Sequence, residues 1–166
     1  ISGQGAKYIA ASLAAYKKGD RKHPTMRAIA TSLTEQDIAD LSAFYEQHGG
    51  KAASAPPDGA AAASPDVTTL LTKGACASCH GANYSKPIDP SYPKLGGQHA
   101  DYLFAALRSY KVKGNTHGRD NAIMGAQVKQ FDSTQLKAMA NYLGSLPAEM
   151  QTVPQDKFIS RTASAK

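Results

Sequence analysis

Apolar residues recur at helical spacing in four places along the chain, while β-branched runs are short and isolated. Tyr8, Ile9, Leu13 and Tyr16 form one stripe that stops at Gly19. Ile38, Leu41, Phe44 and Tyr45 form a second, after Thr34 as a cap with Asp37 three residues on. Tyr102, Leu103, Ala106, Leu107 and Tyr110 form a third, predicting a helix over 100–110. Leu136, Met139, Ala140, Leu143 and Leu146 form the last, predicting a helix over 133–146. Val67, Leu70 and Leu71 add a shorter helical segment. Pro87, Pro90 and Pro93 exclude a helix over 84–95, and the polar, Gly-containing stretch 111–130 reads as loop. The fold class is therefore all-α.

Residues 51–66 break the pattern. They are rich in Ala, Pro, Ser and Gly and lack any aromatic or large aliphatic side chain, so they read as a linker, extended around Pro56-Pro57. The segments on either side match. Gly3, Gln4, Tyr8, Leu13, Tyr16 and Lys17 recur 94 positions later as Gly97, Gln98, Tyr102, Leu107, Tyr110 and Lys111. Beyond a four-residue insertion the offset is 98, and Met26, Leu33, Ile38, Leu41 and Phe44 fall on Met124, Phe131, Leu136, Met139 and Tyr142. The expected organisation is an incomplete first copy over 1–50, a linker over 51–66, a complete copy over 67–150 and a polar tail over 151–166. The first copy lacks a counterpart of the stretch from Val67 to Gly97, about 30 residues by the repeat.

Charge adds little. Nineteen Lys and Arg against 13 acids give +6, spread evenly with no basic run longer than two. That suits a solvated surface with a mild preference for acidic partners, and not a nucleic-acid site. No apolar run is long enough to span a membrane.

The chemistry sits in Cys76-Ala77-Ser78-Cys79-His80, which holds both cysteines of the chain. This is the attachment spacing of a c-type haem: two thiols on one turn add to the vinyl groups, and the next residue offers its imidazole to iron. A thioredoxin-like pair would need a βαβ setting, and a zinc site a second ligand pair; neither is evident. Such attachment takes place outside the bacterial cytoplasm, so the expected location is periplasmic, with the signal peptide not in this sequence. Met124, 44 residues after His80 and matched by Met26 in the repeat, is the expected distal ligand, a soft neutral thioether. The plainer reading of Met124 is core filler. Met139 sits on an apolar stripe, and Met150 follows Pro147 at the domain edge. Tyr102, Arg108 and Tyr110 are candidate donors to a haem propionate, or else half-buried amphipathic residues. His99 and His117 are weaker alternative ligands.

The text CASCHG at 76–81, YPKLGGQHADYL at 92–103, Met124 in its loop and ANYLGSL at 140–146 resembles bacterial dihaem cytochromes of the c4 type. SGQGAKYI, Met26 and SLTEQDIADLSAFY in the first copy fit the same pattern. The resemblance implies two class I cytochrome c domains, each all-α, that pass electrons in the periplasm to a terminal oxidase or reductase. It also implies that the Pro93 carbonyl accepts from His80 Nδ1. The departure is the absent first CxxCH. One haem c is expected at Cys76 and Cys79, and a second in the intact protein, with Met26 as its candidate distal ligand. Rival readings are a haem subunit tethered to a larger dehydrogenase, a haem enzyme such as a peroxidase, and a gas sensor with a labile Met.

Overall fold

The computed structural model describes residues 1–48, 63–112 and 119–150. Eight helices follow in order: α1 (Ala6–Lys18), α2 (Pro24–Thr31), α3 (Glu35–Gln47), α4 (Pro65–Lys73), α5 (Cys76–His80), α6 (Ala100–Lys111), α7 (Ala122–Val128) and α8 (Ser133–Ser145). No extended strand occurs among the described residues, as an all-α fold requires.

The repeat is written into the local chemistry of each helix end. Thr34 caps α3 through a reciprocal box with Asp37, and Asp132 caps α8 through the same box with Gln135. At α2 the His23 side chain accepts from the Met26 N–H; at α7 the Asn121 side chain accepts from the Met124 N–H. Lys17 donates its ammonium to the Leu33 carbonyl, and Lys111 does the same to Phe131. Gly3 and Gly97 both hold φ in the left-handed region, at 89° and 73°. At Gly97 a Cβ would fall 2.3 Å from that of Ala148, so only glycine fits.

α1 packs on α2 and α3, while α6 packs on α7 and α8, with α4 also against α8. The second copy carries a continuous core, in which Phe131 and Leu136 are the largest fully buried side chains, joined by Val67, Leu71, Leu103 and Leu143. The first copy buries only Ile9, Ala30 and Ile38 among its apolar side chains, and leaves Ile29 and Phe44 about half exposed. Among the described residues its α1–α3 have no partner equivalent to α4 and α5. The copies meet where Gln4 grips the Lys94 backbone and where Arg21 reaches Tyr102.

Two expectations change. The stretch around Met124 is not loop: Asn121 starts α7 there, and the matching α2 runs through Met26. Each has only seven or eight residues, too few for an apolar period to show. The linker ends earlier than expected, because Ser64 caps α4 and Pro65 takes its first turn, where a missing N–H costs nothing. Residues 51–62, the tail 151–166 and His117 lie outside the described residues.

Candidate functional site

α4 leads through Gly74 and Ala75 into α5. Gly74 is buried, and a Cβ there would stand 3.0 Å from Cys76 Sγ and 3.3 Å from the Phe131 ring. At the other end Gly81 has φ +82°, and a Cβ would fall 2.1 Å from the Lys86 carbonyl oxygen. These glycines let one short turn present Cys76, Cys79 and His80 together. Both thiols are free and half-buried, and burial pushes the Cys76 thiol pKa up, keeping it protonated.

His80 is 5% exposed. Its Nδ1 lies 2.9 Å from the Pro93 carbonyl oxygen. That oxygen only accepts, so Nδ1 carries the proton and Nε2 keeps its lone pair. Burial pushes the imidazole pKa down, with the Pro93 bond offsetting part of the shift. The ring is thus a neutral, oriented nitrogen donor.

The thiols and His80 line a cavity of about 630 Å³, within the size range of cofactor pockets. Leu71, Leu103, Phe131 and Leu143 supply apolar walls, and Met124 lines the same space. The cavity continues into the first copy, where Met26, Tyr8 and Tyr16 reach it. Met139 is 2% exposed within the core. Met150 is buried, and its sulfur accepts from Gln4 Nε2 at 3.3 Å. His99 is the exposed N-terminal flank of α6.

Tyr102 and Tyr110 line the cavity, but Arg108 does not. It is exposed, with its guanidinium over the Phe104 ring at 5.6 Å. The arginines at the cavity are Arg119 and Arg21, which sequence reasoning missed. Arg119 donates to Tyr102 OH at 3.0 Å and to Tyr110 OH at 3.3 Å. Arg21 crosses from the first copy to Tyr102 OH at 2.7 Å and also donates to Ser12 Oγ at 2.8 Å. Burial opposes ionisation of the nearby Tyr8, but the charges of Arg21 and Arg119 together with hydrogen bonding to Tyr102 and Arg21 outweigh it and hold its pKa below the ordinary value. Neither guanidinium meets a carboxylate among the described residues; the ion pair found there is Lys94–Glu149 at 3.2 Å. The two arginines are 98 apart, the offset already set by the methionines, so extending the repeat to charged residues would have found them.

These features fit a haem: two free thiols, an oriented imidazole, a thioether, an apolar cavity, and cations suited to the carboxylates on its edge. The family model described as Cytochrome c matches residues 66–147. Cytochrome c-553 of Nitratidesulfovibrio vulgaris (strain Miyazaki F) is 38% identical over 71 residues, covering 43% of this chain and 69% of that relative. The chain belongs to the cytochrome c family. The likeness also spans both copies: cytochrome c4 of Azotobacter vinelandii is 26% identical over 162 residues, covering 88% of this chain and 75% of the relative. Among solved structures, thiosulfate dehydrogenase (TsdBA) from Marichromatium purpuratum superposes with a TM-score of 0.70 at 30% identity, covering 88% of this chain and 32% of that one. The cofactor of this cytochrome is a haem c bound covalently through Cys76 and Cys79, and its role is electron transfer.

Proposed function

We propose that this cytochrome is a periplasmic one-electron shuttle in which His80 and Met124 would hold the iron of the haem at Cys76 and Cys79. The observation that carries the reading is the fixed tautomer of His80, whose free Nε2 shares one apolar cavity with both thiols and Met124. The bound haem supplies the reversible Fe(III)/Fe(II) couple. The protein orients the imidazole through Pro93, offers a soft sulfur that favours Fe(II), and keeps water away with Leu71, Leu103 and Phe131. With both His80 and Met124 as ligands, the protein would hold the iron without offering a substrate a place on it, which favours outer-sphere transfer to a docked partner such as a terminal oxidase or reductase. The modest positive charge assists transient docking.

In the intact protein the repeat supports a second haem with Met26 as distal ligand, in a first unit joined to the second by the linker of residues 51–64. No described helix is long and apolar enough to cross a membrane. A second reading, a haem unit working with a larger dehydrogenase, is favoured by the likeness to the thiosulfate dehydrogenase structure.

The visible spectrum of the purified oxidised protein tests the ligand set. Met124→Ala should abolish the sulfur-to-iron charge-transfer band and let the reduced protein bind carbon monoxide rapidly. Rapid carbon monoxide binding by the unaltered protein would overturn the shuttle in favour of an open haem site. Copurification with a thiosulfate-oxidising partner would support the second reading.

A further inference from the structure

Gln4 is 4% exposed, an unusual depth for a glutamine outside any helix. It is held there by its backbone: Gly3 is in the left-handed region, and its N–H donates to the Tyr45 carbonyl of α3 at 2.7 Å. All the polar capacity of the side chain is engaged. Oε1 accepts from the Lys94 N–H at 2.8 Å and from the Gly5 N–H at 3.2 Å, while Nε2 donates to the Lys94 carbonyl at 3.1 Å and to Met150 Sδ. Because the Lys94 N–H only donates and its carbonyl only accepts, the orientation of the Gln4 amide is fixed by its partners.

The Lys94 N–H and the Pro93 carbonyl belong to one peptide group. That carbonyl is the acceptor for His80 Nδ1–H. A single amide plane thus links Gln4 of the first copy to the imidazole of the second copy: His80 donates into its oxygen, and its N–H donates to Gln4. Accepting from the N–H side draws electron density toward the carbonyl oxygen, and hydrogen bonds in such a chain strengthen one another. A stronger acceptor at Pro93 gives His80 more imidazolate character and makes it the better donor to the more highly charged iron. The repeat partner does not share the arrangement. Gln98 Oε1 accepts from the neighbouring His99 N–H at 2.8 Å, and its amide faces Met150 Sδ at 3.9 Å.

The geometry points to Gln4 as a positioning residue that acts through the Pro93–Lys94 peptide on His80, so that the first copy sets the reduction potential of the haem in the second. This rests on His80 being the iron's imidazole ligand. Replacing Gln4 removes the acceptor on the far side of the peptide, weakens the pull on Nδ1–H and favours Fe(II). The potential therefore rises.

The test is a spectroelectrochemical titration of the haem attached at Cys76 and Cys79 in the full holoprotein, with Gln4→Met, which keeps the shape of the side chain, and Gln4→Leu. Met150→Leu is the control, since it removes the other cross-copy partner of Gln4 and leaves the peptide link intact. Proton NMR of the reduced protein follows exchange of the His80 Nδ1–H with solvent. The expected result is a more positive potential and faster Nδ1–H exchange in both Gln4 variants, an unchanged low-spin spectrum, and no change in either quantity for Met150→Leu. An unmoved potential in a Gln4 variant with an intact spectrum would overturn the relay, and so would an equal shift in Met150→Leu. His80→Ala separates the two levels: if it keeps the low-spin spectrum of the parent, the ligand assignment fails, whatever Gln4 does.

Discussion

Met26 and Met124 occupy the same third position of two short helices, each with its backbone N–H held by the capping side chain three residues earlier. Both line the cavity that contains Cys76, Cys79 and His80. The equivalence is geometric, but only Met124 belongs to the copy carrying the attachment motif. Met26→Ala should therefore preserve the sulfur-to-iron band of the haem at Cys76 and Cys79, which Met124→Ala removes. Visible spectra of the two oxidised holoproteins check this.

Tyr102 OH receives Arg21 at 2.7 Å and Arg119 at 3.0 Å. Removing either positive charge beside the haem should lower its potential, because a nearby cation disfavours Fe(III). Arg21→Gln should also cost about 1.5 kcal/mol of stability, the lower end for charge-assisted bonds, since the guanidinium is only half-buried. A double-mutant cycle with Tyr102→Phe in denaturant unfolding should return a coupling of at least about 0.5 kcal/mol. Additive losses would show that the bond contributes nothing.

Leu136 and Phe131 are fully buried in the core cluster shared with the cavity-lining Leu71, Leu103 and Leu143. Leu136→Ala should destabilise the holoprotein by about 2–5 kcal/mol, the cost of lost burial plus a residual void. The midpoint of denaturant unfolding should drop while the slope stays constant.

Asp37 receives hydrogen bonds from the Thr34 hydroxyl at 2.6 Å and from the Thr34 N–H at 2.8 Å, which hold its carboxyl below the ordinary carboxylate range. A depressed folded-state pKa means that folding favours the ionised form. The capping contribution is therefore full above the ordinary carboxylate pKa and is lost as pH falls through the lower folded value. Fraying at the start of α3, followed by hydrogen exchange of its first amides, should increase on acidification in the parent. In Thr34→Ala those amides should already be frayed at neutral pH, with a weaker acid dependence.

The long helices were legible because their own sequence determines them. α1, α3, α6 and α8 each run 12 or 13 residues with an apolar face, and the cap at Thr34 could be read from residue types alone. The CxxCH motif and the methionine pair were legible because the chemistry restricts spacing and the repeat restricts register. α2 and α7 were not: they are two turns long, and Ile29 and Ile123 leave more than half their surface in solvent, so no stripe marks a face. The cross-copy bonds were out of reach for another reason. Gln4 and Lys94 are 90 positions apart, Arg21 and Tyr102 81, and nothing in the local sequence of either partner encodes the meeting.

That meeting has a consequence for how the molecule matures. Arg21 and Arg119 converge on one phenol, and among the described residues neither guanidinium meets a carboxylate. A cofactor that brings its own carboxylates offers these cations a counter-charge, and whatever binds only the closed seam stabilises it by mass action. Haem insertion and docking of the two copies are then thermodynamically linked: the Arg21–Tyr102 and Gln4–Lys94 bonds already hold the seam together, and a cofactor that binds only the closed seam tightens it further.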